Sequence, residues 1–147
     1  MEHLSLKELT TVLETAEVRE LLSQLEYPLE IREKKTDQII LEYRKNPKQS
    51  MLGLKSEGTL VGLIGLAFGR TGSAVIRHIV VRRDRRRRGI GRKMIQTVMR
   101  QFSLREISAE TDHDAVDFYR RCGFHIKSLG EKYPRTERFW CTLREVK

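Results

Sequence analysis

From about Thr11 to Leu25 the apolar residues fall at Val12, Ala16, Leu21, Leu22 and Leu25, a helical stripe with one slip in it. Tyr27-Pro28 ends it, because a residue before proline avoids helical backbone. A more polar helix is predicted over about Glu30 to Lys45, with Ile39, Ile40 and Tyr43 on one side and Asn46-Pro47 as its stop. Ahead of both, "HLSLKEL" reads equally as a short strand or as the start of a helix.

The period then changes. "SMLGLKSEGTLVGLIGLAFG" reads as two strands joined by a turn at Ser56-Glu57-Gly58, and Gly69-Arg70-Thr71-Gly72 makes a second turn. "SAVIRHIVV" follows as a β-branched third strand. These antiparallel hairpins build the centre of a sheet. After an arginine-rich stretch, Ile90, Met94 and Val98 recur every four residues beside Ile95, Met99 and Phe102, which is an amphipathic helix. "REISAET" is again a strand. Asp112 can cap a short helix carrying Ala115, Val116, Phe118 and Tyr119, and Gly123 stops it in the left-handed manner. "FHIKSL" and "RFWCTLREV" close the chain as a hairpin. The predicted fold class is α/β: a mixed, mostly antiparallel sheet with helices on both faces.

Composition adds one fact to this picture. The chain has 147 residues and a formal charge of +9, and the stretch "RRDRRRRGIGRK" (Arg82 to Lys93) alone contributes +7. The basicity is local, so the expected partner is a local anion. The length suits one domain over residues 1–147. The longest near-apolar run, "LVGLIGLAFG", is half of the roughly 20 residues a membrane helix needs. No secretory pattern opens the chain. Cys122 and Cys141 lack metal-type spacing and read as packing residues in a reducing cytoplasm, so no metal is expected and the expected location is cytoplasmic.

The placement of the arginines decides their chemistry. A buried strand runs into the stretch and a helix leaves it near Gly89 to Gly91. A helix start presents unpaired N–H groups and partial positive charge, and glycines let the backbone come close to a ligand. That combination suits phosphate or pyrophosphate. It is neither a Walker loop nor the dinucleotide fingerprint.

Arg86-Arg87-Arg88-Gly89-Ile90-Gly91 matches the R/Q-x-x-G-x-G/A signature of the GNAT superfamily of acetyl-CoA-dependent N-acetyltransferases, and "AVDFYRRCGF" (Ala115 to Phe124) resembles that family's second hallmark. The element order is similar from about Thr11 onward. The resemblance implies a GNAT-like sheet whose strands Ala74–Val81 and Glu106–Thr111 splay apart. Acetyl-CoA would lie in the gap as cosubstrate. Its pantetheine arm would pair with the backbone of Ile79, Val80 and Val81. Its pyrophosphate would be held by the amides of Arg86, Arg87, Arg88, Gly89, Ile90 and Gly91, with Arg92 at the helix start. The Val81 N–H would stabilise the oxyanion, and Tyr119 would be the general acid.

Three positions depart from the family. Val75 stands eleven residues before Arg86, where some relatives carry a Glu base, so a direct carboxylate is excluded there. Water relays or other groups must serve instead, or the amine must lose its proton on entry; His78 and Glu110 are side-chain candidates, although strict alternation puts His78 on the face opposite Val75. Asp112 stands where many relatives have Asn at the cofactor; it can cap its helix but, ionised, donates no hydrogen bond. Arg87 stands where Gly is common. The implied acceptor is an amine of unidentified kind, chosen by residues around Leu25 to Lys48 and by the C-terminal hairpin, with Tyr133 and Trp140 as aromatic candidates. Alternatives are a nucleic-acid-binding module using Arg82 to Lys93 and a non-catalytic CoA-binding regulator. The first is disfavoured by the absence of interleaved aromatics or a nucleic-acid signature. No membrane partner is expected, and a homodimer is left open.

Overall fold

The computed structural model describes residues 6–25, 27–134 and 136–145, apart from the side chains of Lys132 and Tyr133. Two tight turns organise its middle. Glu57 and Gly58 both have positive φ, 51° and 81°, the pattern of a two-residue hairpin turn whose twist matches that of its strands. It joins β2 (Gln49–Ser56) to β3 (Thr59–Phe68), and a second turn, with Gly72 at φ 84°, leads to β4 (Ser73–Val81). A short β1 (Lys7–Glu8) pairs with β2, which settles the ambiguous opening segment as a strand.

The helical stripe near the N-terminus is interrupted. Thr10–Val12 forms a 3-10 turn, and the helix itself, α1, spans only Ala16–Leu22. The slip in the stripe is where Thr15 caps the helix, its side chain accepting from the Val18 N–H. The second helix, α2, covers Leu29–Lys45 and starts directly after Pro28. Then come α3 (Ile90–Gln101), β5 (Glu106–Thr111), α4 (His113–Arg121), β6 (His125–Tyr133) and β7 (Thr136–Arg144). Asp112 caps α4, accepting from the N–H groups of Asp114 and Ala115, and Gly123 at φ 91° ends it.

The described strands form one sheet in the order β1-β2-β3-β4-β5-β7-β6. Helices cover both faces, and the core divides accordingly. On one face Ile64, Leu66, Ile76, Met94, Val98, Ile107 and Tyr119 pack together; on the other Leu13, Leu21, Ile40, Tyr43, Leu63 and Val80 do. Coverage on both sides explains why β3 reads as an unbroken apolar run rather than an alternating one. Burying a side chain such as Met94, which is 0% exposed, contributes roughly 1.5–3 kcal/mol.

Among the described strands one pairing is parallel, and it is short. β4 meets β5 at Ser73↔Glu106, Ala74↔Ile107 and Val75↔Ser108 and nowhere beyond. β5 keeps its partnership with β7 along its whole length, from Glu106↔Arg144 to Thr111↔Phe139. The strands therefore part after Val75, as the resemblance implies. A bulge in β4 accompanies the parting: His78 pairs with Gly65 but Ile76 pairs with Leu66, leaving Arg77 as the extra residue. A bulge bends its strand and increases its twist.

Candidate functional site

The free edge of β4 is the first component. Arg82 N–H donates to Val61 O at 2.8 Å, so that pair is hydrogen-bonded. Along an antiparallel ladder such pairs alternate with non-bonded ones. The alternation sends the N–H and C=O of Val81 and Ile79 away from β3, toward the edge that β5 has left. The Val81 carbonyl is already used, accepting from Arg86 Nε at 2.9 Å. The Val81 N–H and both backbone groups of Ile79 face the gap. Val81 is nearer the turn that follows; Ile79 lies deeper. Val80 falls on the bonded side of that alternation, opposite Leu63, and its side chain is buried on the other face, so it offers the gap no free backbone group.

The second component is the turn. A 3-10 segment, Arg83–Arg85, leads to Arg86 in extended backbone, Arg87 at φ 67° and Gly89 at φ 76°, after which α3 begins. Left-handed residues just before a helix start turn successive N–H groups to one side, making a concave anion site. The two glycines have different reasons. Gly89 needs its backbone conformation, and a Cβ there would meet nothing within 4 Å. Gly91 needs close packing: an added Cβ would lie 2.8 Å from Phe118 Cε1. Gly91 therefore seats α4 against the start of α3, and the approach it permits is that of a ring rather than of a ligand.

Arg87 is a non-glycine residue in a left-handed conformation, which costs an L-residue roughly 1–2 kcal/mol. Glycine would relieve this and lose part of the gain to unfolded-state entropy. Arg87→Gly is therefore expected to raise stability by up to about 1 kcal/mol in urea unfolding, and a clear loss would contradict the strain.

Between the β4 edge, the turn and α4 lies a cavity of about 850 Å³. Ile79, Val80, Val81, Arg86, Arg87, Gly89, Ile90, Gly91, Arg92 and Tyr119 all line it. Among the described residues, Arg88 and Asp112 do not line it. Arg88 is exposed, and the Asp112 carboxylate is spent on the α4 cap. The arginines have divided duties. Arg82 pairs with Asp84 at 3.0 Å, the Arg83 N–H donates to Gln24 at 2.8 Å, and Arg92 reaches the Arg121 carbonyl at 3.5 Å.

Sequence reasoning missed several lining residues. Ala115, Phe118 and Cys122 join Tyr119 on the cavity wall. Their spacing is that of one helical face, so the periodicity that placed Tyr119 could have placed them too. Gln24 and Leu25 close the cavity from the end of α1, where the Arg83 N–H donates to Gln24 across 59 residues, a contact that no local pattern marks.

Tyr119 is 5% exposed, wedged edge-on between Phe118 and Phe124. Burial pushes its phenol pKa up, with Cys141 and Cys122 adding to it, so the group stays protonated and can act as an acid. Trp140 lies beyond the split, in register with Glu110 on β5, and Glu110 accepts from Arg138 Nε at 3.0 Å. The Tyr133 side chain lies outside the described residues. Cys141 is buried, as expected of a packing residue, and Cys122 is half-buried; both are free thiols.

On the other face of β4, His78 Nδ1 lies 2.7 Å from Tyr43 Oη. Burial lowers the His78 pKa to about 4; Glu42 opposes this and Arg77 adds to it. The folded value is below the unfolded one of about 6.5, so the unfolded chain binds more protons between them. The associated stability is complete above about pH 6.5 and is lost as pH falls toward 4, amounting to about 3 kcal/mol. Urea unfolding of wild type and His78→Gln across that window checks this; an unchanged slope in the variant would contradict it.

Among the described residues, no helix is long and apolar enough to cross a membrane, and no group of three or more His, Cys, Asp or Glu could hold a metal ion.

Comparison with known proteins adds independent findings. The model of the acetyltransferase (GNAT) family matches residues 15–124. No curated protein sequence matches significantly. Among solved structures, a spermidine N-acetyltransferase SpeG chimera from Vibrio cholerae and hSSAT is 19% identical with a TM-score of 0.74, over 97% of this chain and 96% of that one. The aminoglycoside 6'-N-acetyltransferase from Enterococcus faecium is 18% identical with a TM-score of 0.67, over 88% and 92%. The Campylobacter jejuni N-acetyltransferase PseH, in complex with acetyl coenzyme A, is 13% identical with a TM-score of 0.66, over 97% and 99%. At such identities the likeness is one of fold.

Proposed function

Because the chain belongs to the acetyltransferase (GNAT) family, we propose that it moves the acetyl group of acetyl-CoA to a primary amine by direct attack through a tetrahedral intermediate. One observation carries this reading: an unpaired β4 edge that leads straight into a backbone-lined anion turn at the start of α3. The residues present suit the cosubstrate. Ile79 and Val81 offer free backbone groups to the amides of the pantetheine arm. The N–H groups from Arg86 to Gly91, with the start of α3, suit the pyrophosphate, and the exposed arginines add positive charge around it.

When bound, acetyl-CoA supplies an activated thioester. The amine nitrogen attacks its carbonyl carbon, and the carbonyl electrons move to oxygen. A preorganised N–H on the β4 edge stabilises that oxyanion. We assign this to Ile79 rather than to Val81, which lies nearer the pyrophosphate turn. Collapse breaks the carbon–sulfur bond, and the Tyr119 phenol protonates the departing thiolate. The products are an acetamide and the free thiol.

The acceptor is an amine whose class the cavity does not select; the named relatives act on substrates as different as spermidine and aminoglycosides. A thiol-release assay with acetyl-CoA and a panel of spermidine, kanamycin, free lysine and a lysine-containing peptide tests the proposal. The expected result is amine-dependent thiol release with at least one of them. Absence of acetyl-CoA binding at millimolar concentration would overturn it.

A further inference from the structure

The reaction above leaves one proton without a destination: the amine must lose one as it attacks. Val75 supplies no base. His78 stands three residues further along β4, and strict alternation would put it on the opposite face. The bulge at Arg77 reverses this. Val75 pairs with Ala67 and His78 with Gly65, two residues apart on β3, so both side chains leave the same face of the sheet. His78 also lies on the stretch of β4 that β5 has left, beside the split in which the thioester would sit.

Its ring is held by a built contact. Tyr43 on α2 is 1% exposed, and its hydroxyl meets His78 Nδ1. That hydroxyl crosses over Gly65, where an added Cβ would stand 1.9 Å from Tyr43 Oη. Any other residue at 65 would displace the phenol. Nε2 holds the free lone pair in the tautomer whose Nδ1–H donates to the Tyr43 oxygen, and that is the tautomer the step below requires; His78 is only partly buried while its anchor is wholly so. The charged neighbours offset each other: Arg77 Nε lies 3.5 Å from Glu42 Oε2, which also accepts from Gln49 Nε2 at 2.7 Å.

We propose that His78 Nε2 takes the proton shed by the attacking amine, with Tyr43 as the residue that positions the ring. The proposal rests on the acetyl-transfer reading. The nitrogen lone pair forms the bond to the carbonyl carbon, the N–H bond then breaks toward Nε2, and the imidazolium passes its proton to water before the next turnover. A neutral ring is what this step needs, and burial keeps it neutral. So weak a base does not strip a free ammonium; it acts once bond formation has made the nitrogen acidic.

The test compares wild type, His78→Ala, His78→Gln and Tyr43→Phe in thiol release from acetyl-CoA with spermidine, kanamycin and lysine amide between pH 6 and 9. Acetyl-CoA-induced thermal shifts are measured in parallel. His78→Ala is expected to lower kcat about 100-fold, with KM and thermal shift for acetyl-CoA unchanged. Added imidazole should restore part of its rate, and Tyr43→Phe should fall between wild type and His78→Ala. A His78→Ala rate within about threefold of wild type on every amine accepted would overturn the assignment. So would loss of the acetyl-CoA shift in both His78 variants, which makes the residue structural. No thiol release by wild type with any amine would instead sink the acetyl-transfer reading itself.

Discussion

Gly89→Glu removes acetyl-CoA binding while the fold persists. Gly89 sits at φ 76° immediately before α3, and a side chain added there would meet no protein atom within 4 Å. The glutamate is therefore not refused by packing. It projects into the open space where the turn and the helix start gather their N–H groups. Two effects then act together. The left-handed backbone becomes costly for an L-residue, by roughly 1–2 kcal/mol, so the turn tends to relax. The carboxylate also brings negative charge to a site suited to pyrophosphate. Together they should raise the acetyl-CoA Kd at least about 100-fold, near 2.8 kcal/mol. Gly89→Ala isolates the strain and should cost less. Arg83→Ala is the contrasting control, because the Arg83 contact to Gln24 is made by its backbone N–H and the side chain is exposed. It should weaken binding by no more than about threefold. Equal losses in Gly89→Glu and Arg83→Ala, measured by calorimetry, would mean that charge and not the turn holds the anion.

Tyr119→Phe should lower kcat by about 100-fold or more and leave KM for acetyl-CoA nearly unchanged. The phenylalanine keeps the ring between Phe118 and Phe124, so the core loses one oxygen and no packing. On the proposed mechanism, what disappears is the proton that meets the departing thiolate. The raised phenol pKa gives this a pH signature. A phenol at its ordinary value would begin to lose its proton near pH 10. Tyr119 should stay protonated beyond that, so wild type should show no loss of kcat from this group below about pH 10. A variant with wild-type kcat would remove Tyr119 from the chemistry and leave it as a core aromatic.

The elements were legible in the sequence wherever a local signal decided them. Period, turn residues and caps identify β2 to β5, α3, α4 and the final hairpin, and "GIG" after a buried strand identifies the turn that opens α3. What eluded sequence reasoning depends on partners far along the chain. "IRHIVV" reads as an unbroken strand, because a bulge leaves no mark in composition and is decided by register against β3. That single extra residue is why alternation put His78 on the wrong face. Gly91 looked like a phosphate glycine, yet the neighbour it accommodates is Phe118, 27 positions further on. Arg86 looked like a cofactor arginine; it lines the cavity and also ties the turn back to the Val81 carbonyl. The α1 stripe misled by continuity, since the Thr15 cap divides it.

In the proposed complex acetyl-CoA lies along the free edge of β4 with its pyrophosphate in the turn. Amide NMR titration of the protein with acetyl-CoA tests it most directly. The largest shifts are expected at Ile79, Val81 and Arg86 to Arg92, with the β2–β3 turn at Glu57-Gly58 unmoved. Saturable binding that leaves the Ile79, Val81 and Gly89 amides unmoved would contradict it.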